Sequence, residues 1–411
     1  MGKTVWLINQ YAMPPQYEPR LRTIKFAHYL TEAGYDVIIF GSSLMHNMNI
    51  DLITNGSLFI EKYYDDLHFV HIKTIKYQGN GIKRVWSSIQ FASRFIHVSK
   101  NFKTPDIIIN YNFYFVGNPI YRIAKKYKAK IIQEILDLWP ESFVELGIIS
   151  KWNPLLYIMY AKEKWMYKHA DEIIFSMEGG PDYLKKRKID KEQGGPVDMS
   201  KVHYINNGVD LVDFNKYKQQ YSIVDSDLNN QGLKKIIYIG SLRRANNIKL
   251  LIEAASFLGK RNDAVFLIYG DGEDRVPLIK YCQKNNIGNV IFKDKWIDPK
   301  YVPNVLSKSY VNILNYMPGH FGTYGGSQSK MFQYMASGKP ICCNLEIMYC
   351  QIKKHQLGIA KEFLSSKEYA DAIESILDLD MKEYNSICDR ALETAKEFDY
   401  KVLADKMMKL F

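Results

Sequence analysis

Residues 322 to 330 read Gly322-Thr323-Tyr324-Gly325-Gly326-Ser327-Gln328-Ser329-Lys330 and lead into a run with helical spacing, Met331 to Ser337. Glycines allow backbone amides to turn toward a ligand, and Ser329 is a candidate N-cap. A helix N-terminus favours negative charge by ~0.3 to 1 kcal/mol at a surface. A diphosphate suits such a loop, although a plain glycine turn ahead of an amphipathic helix reads the same way. A second loop, Gly240-Ser241-Leu242-Arg243-Arg244-Ala245-Asn246-Asn247, carries two guanidiniums. Arginine forks match phosphate oxygens, at ~1.5 to 3 kcal/mol per charge-assisted bond, with solvated surface arginine as the alternative for one of the pair. Gly270-Asp271-Gly272-Glu273-Asp274 lacks the third glycine of a dinucleotide fingerprint and reads as a turn.

Metal chemistry is not indicated. The two Asp-x-Asp strings, Asp225-Ser226-Asp227 and Asp378-Leu379-Asp380, fall in a linker and a late helical region rather than at a strand end. His68 and His71 are three apart on a predicted strand and should face opposite sides of the sheet. The five cysteines (Cys282, Cys342, Cys343, Cys350, Cys388) form no CxxC pair, which argues against a zinc site or a disulfide framework and for a reducing compartment.

These loops need elements to position them, and the chain supplies two βαβ series. In the first, β-branched runs at 5–9, 37–40, 107–110, 129–133 and 172–176 alternate with helical patterns at 21–33, 119–128 and 155–169, with Gly34 closing the first helix. In the second, strands at 234–240, 264–269, 290–292, 311–314 and 341–344 alternate with helices at 248–259 and 329–337. The pattern implies an α/β protein of two Rossmann-like domains facing each other across a cleft. The expected parts are an N-terminal domain over 1–205, a linker over 206–232, a C-terminal domain over 233–385 and a C-terminal helix over 386–411 returning to the first domain. In open sheets of this kind ligands bind outside the carboxyl ends of the strands, where the loops above fall.

A composition of 47% hydrophobic and 24% charged residues is that of a folded chain rather than a disordered one. The first apolar run stops at Asn9, too short for a secretory signal, and no stretch approaches a bilayer span, so a cytoplasmic location is expected. A formal charge of +11 suits phosphorylated small molecules, anionic lipid or nucleic acid, but no nucleic-acid-binding motif accompanies it. Residues 82–96 and 152–168 interleave aromatic side chains with Lys and Arg, as interfacial helices do. Core-facing helices share that look, the preferred reading for at least one of them.

Four strings, taken together in order and spacing, resemble the retaining family 4 glycosyltransferases, especially bacterial enzymes of capsule, exopolysaccharide and O-antigen assembly. They are Asp137-Leu138-Trp139-Pro140-Glu141-Ser142, Asn207-Gly208-Val209-Asp210, Tyr238-Ile239-Gly240-Ser241-Leu242, and the run from Gly326 to Pro340 that contains Ser327, Lys330 and Gln333. The resemblance implies the GT-B fold, a nucleotide diphosphate-sugar in the C-terminal domain, a saccharide or polyprenyl-linked acceptor on the N-terminal domain, and no metal or other cofactor. By position it implies that Gln333 holds the donor ribose and that the amides near Ser327, Gln328, Ser329 and Lys330 hold the sugar and diphosphate. Gly240, Ser241, Gly325 and Gly326 would line the donor, and Lys295, Trp296 and Ile297 would border the base. Pro15, Gln16, Arg22 and Asp137 would lie on the acceptor side. Two departures stand out. The positions of a glutamate pair common in the family are Gly325 and Gln333, and those of an Arg and Lys that grip the diphosphate are Ser241 and Asn246. Arg243, Arg244 and Lys330 remain as the cations for that work.

The implied reaction is hexosyl transfer with retention, a phosphate oxygen taking the acceptor proton while Arg243, Arg244 and Lys330 steady the departing charge and Asp137 orients the acceptor. Asp137 as a structural cap beside Trp139 is the competing reading. Anionic membrane docking would suit a lipid-linked acceptor. The alternatives for the whole chain are a non-catalytic GT-B subunit of a transferase complex and a GT-B sugar-nucleotide epimerase.

Overall fold

Val- and Ile-rich runs buried on both faces call for parallel strands covered by helices, and both halves of the chain meet that demand. The computed structural model describes residues 2–17, 22–46, 48, 50–77, 79, 81–112, 114–145, 147–317 and 322–411, with backbone alone at 114–116. Leu21, expected at the head of the first helix, and Glu18, Pro19 and Arg20 of the first loop lie outside the described residues. Contacts divide the chain into one unit of 1–206 with 400–411 and a second unit of 207–399.

The first unit holds an eight-stranded sheet of order β3-β4-β2-β1-β5-β6-β7-β8. The strands are β1 (Thr4–Ile8), β2 (Asp36–Ser42), β3 (Phe59–Tyr64), β4 (Leu67–Ile72), β5 (Ile107–Asn110), β6 (Lys130–Ile135), β7 (Glu172–Phe175) and β8 (Val202–Tyr204). β3 pairs antiparallel with β4, and the other pairings are parallel. Its helices are α1 (Arg22–Glu32), α2 (Ile82–Val98), α3 (Tyr114–Tyr127), α4 (Glu141–Glu145), α5 (Leu155–His169) and α6 (Gly180–Lys186). β1 is buried throughout. Val5 and Leu7 pack with Phe26 and Leu30 of α1, while Trp6 meets Phe40 and Phe95 edge-on. α3 starts earlier than the expected Pro119, which lies inside it. Burial of Ile120, Ile123 and Ala124 outweighs the hydrogen bond that the proline cannot donate. His68 and His71 do face opposite ways: His68 meets Glu61, whereas His71 is buried against Tyr64.

The second unit holds a parallel sheet of order β11-β10-β9-β12-β13-β14. Its strands are β9 (Lys234–Ile239), β10 (Ala264–Tyr269), β11 (Val290–Phe292), β12 (Val311–Leu314), β13 (Ile341–Cys343) and β14 (Gly358–Ala360). Its helices are α7 (Leu211–Gln220), α8 (Ser226–Asn229), α9 (Ile248–Phe257), α10 (Arg275–Lys284), α11 (Val302–Ser307), α12 (Ser329–Ala336), α13 (Gln351–Lys354), α14 (Ser366–Leu377) and α15 (Met381–Glu397).

The domain limits differ from the expected ones at two places. Residues 206–232 are not a free linker. Asp210 caps α7, Phe214 is buried, and Leu228 of α8 packs with Ile237 and Leu267 of the sheet. A single apolar anchor per short helix leaves no periodic signal to read. Nor does 386–411 return as one piece. α15 stays with the second unit, where Ala391 and Ala395 pack with Phe332 and Met335. Only the last helix, α16 (Tyr400–Met408), joins the first unit, burying Tyr400, Leu403 and Met407 with Phe26 and Leu30.

Candidate functional site

In the second unit, the carboxyl ends of four adjacent strands, β11, β10, β9 and β12, launch the loops that contain most of the donor residues inferred from sequence. Gly240 follows β9 and Gly270 follows β10, and the two approach so closely that a Cβ at Gly270 (φ +127°) would run into the Gly240 carbonyl oxygen. Only glycine fits there, and the two turns are thereby held together. Gly240 is also where Lys330 arrives from α12, since a Cβ at Gly240 would collide with Lys330 Nζ. The ammonium lies 5.0 Å from the Tyr238 ring centroid. It has no carboxylate partner among the described residues, and burial pulls its pKa down to about 8. A cation held half-buried at a glycine turn without an anion is a candidate anion-binding group.

The surrounding loops are braced by side chains that the ligand would not need. Asn246 Nδ2 donates to Ser241 O (2.7 Å) and Ser241 Oγ (2.8 Å), so Ser241 is engaged within its own loop. Asn315, after β12, donates to the carbonyls of Asn246 (3.2 Å) and Asn247 (2.8 Å), latching that loop to its neighbour. Arg243 and Arg244 are exposed on it, with no hydrogen bond or ion pair to a described residue. Arg275 donates to the carbonyls of Gly270 (2.5 Å) and Lys293 (2.6 Å). Lys293 in turn pairs with Asp225 (2.8 Å) and Asp227 (2.6 Å), which explains that Asp-x-Asp string as a structural brace. Beyond it Lys295 and Trp296 are exposed and Ile297 is half-buried.

The glycine loop behaves as its residue types require, with one correction. Gly322 and Gly325 sit at φ +84° and +90°, so a side chain at position 325 would be strained. The N-cap of α12 is Gln328, not Ser329, and its side chain makes no capping bond. Gln328 Oε1 is buried beside Gly326 without a donor. Ser329 Oγ instead accepts from Asn207 Nδ2 (2.9 Å), which also donates to Ser327 O (3.1 Å). Asn207 thus gives the Asn207-Gly208-Val209-Asp210 string a role in fixing the loop. Gln333, half-buried, has no side-chain hydrogen bond to a described residue.

In the first unit, a cavity of about 130 Å³ opens at the carboxyl ends of β1, β5 and β6. Asn9, Tyr11, Arg84, Asn112, Asp137 and Trp139 line it, and Arg22 and Glu134 form its inner wall. Arg22 pairs with Glu134 and donates to the carbonyls of Ile205 (2.8 Å) and Asn206, so its guanidinium is engaged. Asn112 receives the Gln10 amide (3.1 Å) and donates to Ile8 O (2.8 Å), while Gln133 accepts from Asn110 (2.7 Å). Asp137 is exposed at the mouth, next to a half-buried Trp139. Pro15 and Gln16 sit exposed on the turn after β1 and do not line the cavity. Sequence reasoning missed Tyr11, Arg84 and His46, which the fold gathers: Arg84 Nε donates to Tyr11 Oη (2.9 Å), and the His46 ring lies 5.1 Å from that of Tyr11. Tyr11 and His46 come from separate loops and Arg84 from the first turn of α2, and they share no local motif. Among the described residues no three His, Cys, Asp or Glu side chains group as metal ligands, and no helix is long and apolar enough to cross a membrane.

Residues 222–394, all within the second unit, match the family Glycosyl transferases group 1. No curated protein sequence matches the chain at a significant level. Solved structures of similar fold include the sucrose-phosphate synthase of Thermosynechococcus elongatus, with TM-score 0.71 and 16% identity, covering 99% of this chain and 98% of that one. A trehalose-6-phosphate protein from E. coli bound with UDP-2-fluoro glucose gives TM-score 0.71 at 10% identity, with 99% and 98% covered. Anabaena HepE in complex with UDP and glucose gives 0.61 at 12%, again with 99% and 98% covered. At such identities the likeness establishes the fold, which is the two-domain GT-B fold, and the family match supports sugar transfer as the chemistry.

Proposed function

We propose that the protein is a retaining hexosyltransferase that draws on a nucleotide diphosphate-sugar at the carboxyl edge of its second sheet. The acceptor is a saccharide carried on a polyprenyl lipid, and the product belongs to a bacterial surface polysaccharide. One observation carries this reading: the Lys330 ammonium, at Gly240, is half-buried and lacks an anionic partner among the described residues. The family match over 222–394 and the UDP and glucose named for the HepE structure support it.

In the proposed reaction the bond between the anomeric carbon and the diphosphate oxygen breaks as a bond to the acceptor hydroxyl oxygen forms on the same face. The hydroxyl proton passes to the departing phosphate oxygen, leaving a nucleoside diphosphate and a lengthened saccharide. Lys330, Arg243, Arg244 and the amides at the start of α12 stabilise the charge that develops on the leaving group, the task a divalent ion performs elsewhere. Gln333 and the Gln328 amide hold donor hydroxyls, either of which can donate or accept. Trp296, 72% exposed after β11, offers its ring to the base. On the acceptor side, Asp137 at the cavity mouth receives a hydroxyl while Arg22 and Glu134 keep the wall rigid.

The test is to incubate the purified protein with a panel of nucleotide sugars and measure released nucleoside diphosphate with and without saccharide acceptors. Release from one donor, strongly reduced by Lys330→Ala, with product retaining the donor's anomeric configuration by NMR coupling, is expected. Absence of release from every donor, together with no nucleotide binding, would leave the non-catalytic subunit as the better account.

A further inference from the structure

α2 buries Phe91, Phe95 and Val98 in the core, as an amphipathic helix must, yet it carries a second apolar stripe that the described residues leave exposed. Ile82, Val85, Trp86 and Ile89 follow the i, i+3, i+4, i+7 spacing of one helix face, and all four are exposed, Ile82 at 76% and Trp86 at 59%. A second group of exposed apolar side chains lies around the start of α5, with Trp152 in the preceding turn at 80% and Leu155, Tyr157 and Ile158 on the helix at 47%, 76% and 55% exposure. Both helices are thus more than core-facing.

The two clusters lie at the same end of the unit. α2, α3 and α5 each connect parallel strands, so each begins near the carboxyl edge of the sheet. α2 packs on α3 and α3 on α5, placing all three on one face.

Charge identifies the occupant. From Leu67 to Pro105 the chain has no Asp or Glu, and it has seven cations, Lys73, Lys76, Lys83, Arg84, Arg94, Lys100 and Lys103. From Leu146 to Ala170 the single acid is Glu163, fully buried between Tyr167 and Tyr183. Beside α2 a cleft of about 370 Å³ is lined by Lys73, Lys76 and Arg94 together with Thr74 and Gln90. Its one carboxylate, Asp51, accepts at Oδ1 from the Ser43 hydroxyl (2.7 Å) and the Ile53 amide (3.1 Å), so three cations face a single acid there. Lys76 has no partner among the described residues. Lys73 and Arg94 donate to the carbonyls of Asn55 and Lys73, respectively, neutral partners that leave their charge in place. Exposed tryptophans on the same face as such cations fit the boundary between acyl chains and anionic headgroups. A second copy of the same face would bring like charges together across a two-fold axis, which disfavours self-association there.

We propose that the exposed stripe of α2, the start of α5 and the Lys73–Lys76–Arg94 cleft form a docking face for an anionic phospholipid bilayer, the side chains of Trp86 and Trp152 entering the interface and the cleft receiving headgroup phosphates. The face is independent of the donor chemistry and is read without nucleotide.

The full-length protein is sedimented with vesicles of phosphatidylglycerol and phosphatidylcholine, and with vesicles of phosphatidylcholine alone. Binding to the first, weakened by salt, with bromolipid quenching of tryptophan fluorescence, is expected. Trp86→Ser with Trp152→Ser should lower partitioning at least ~10-fold, and Lys73→Gln, Lys76→Gln and Arg94→Gln together about 100-fold, at the attraction per charge usual for an anionic leaflet. The tryptophan variant alters exposed side chains, so its melting temperature and nucleotide binding should match the parent's. Failure of the parent to bind the anionic vesicles, equal binding by parent and variants, or loss of a dimer in the tryptophan variant by sedimentation velocity would each overturn the proposal.

Discussion

The carboxyl edges of the two sheets hold similar residue types in opposite electrostatic states. In the first unit, Arg22 is paired with Glu134 and bonded to two carbonyls, and Asn110, Asn112 and Gln133 bond one another and the backbone. In the second, Lys330, Arg243 and Arg244 have no anionic partner among the described residues. Polar groups that bond one another make a rigid wall, because most recover what they lost on leaving water; among the described residues Glu134 Oε2 and Tyr111 Oη are buried exceptions. Cations left without partners make a receptor, because an arriving anion supplies what the fold withholds. On the proposed function, the same side-chain chemistry signifies scaffold in one sheet and ligand site in the other.

That contrast is open to attack by substitution. Glu134→Gln leaves the buried Arg22 charge uncompensated, and breaking such a pair costs roughly 3 to 5 kcal/mol. A large fall in melting temperature or denaturant midpoint is expected, with the affinity of the still-folded protein for nucleoside diphosphate unchanged. Lys330→Ala should do the reverse. Turnover of the donor should fall about 10²- to 10³-fold, as for loss of one group that stabilises developing charge. Melting temperature should hold or rise, since an unpaired half-buried cation has been removed. Arg243→Ala with Arg244→Ala is the mildest of the three. Both side chains are exposed, so a loss of about 10-fold in nucleoside diphosphate affinity, at the lower end for charge-assisted hydrogen bonds, is expected by calorimetry with no change in folding.

The sequence made the second region far more legible than the first. Gly240, the Gly322–Lys330 run and the helix after it lie on contiguous stretches whose residue types have few uses, and strand alternation placed them at a carboxyl edge. The cavity of the first unit is assembled from Asn9, Tyr11, Arg84, Asn112 and Asp137, which belong to four separate stretches of chain. No window contains that information. Arg22 illustrates the limit: the resemblance implied a place on the acceptor side, but its engagement depends on Glu134 and Ile205, more than a hundred residues away. Ser329 fails as a cap for the related reason that Asn207, from another element, takes its hydroxyl. The short helices α7 and α8 escaped because Phe214 and Leu228 are single anchors, and a period needs repetition.

The central claim is that Lys330 is charged and waiting for a phosphate. Burial lowers its pKa to about 8, and a bound anion favours the charged form, so affinity should be greatest below pH 8 and weaken as pH rises through that value. Calorimetric titration of nucleoside diphosphates into the parent protein and into Lys330→Arg, from pH 6.5 to about 9.5, measures this directly. The account predicts binding by the parent that declines above about pH 8 and binding by the arginine variant without that decline. Parent binding with no such break, or a parent that binds none of the nucleotides at any pH, would contradict it.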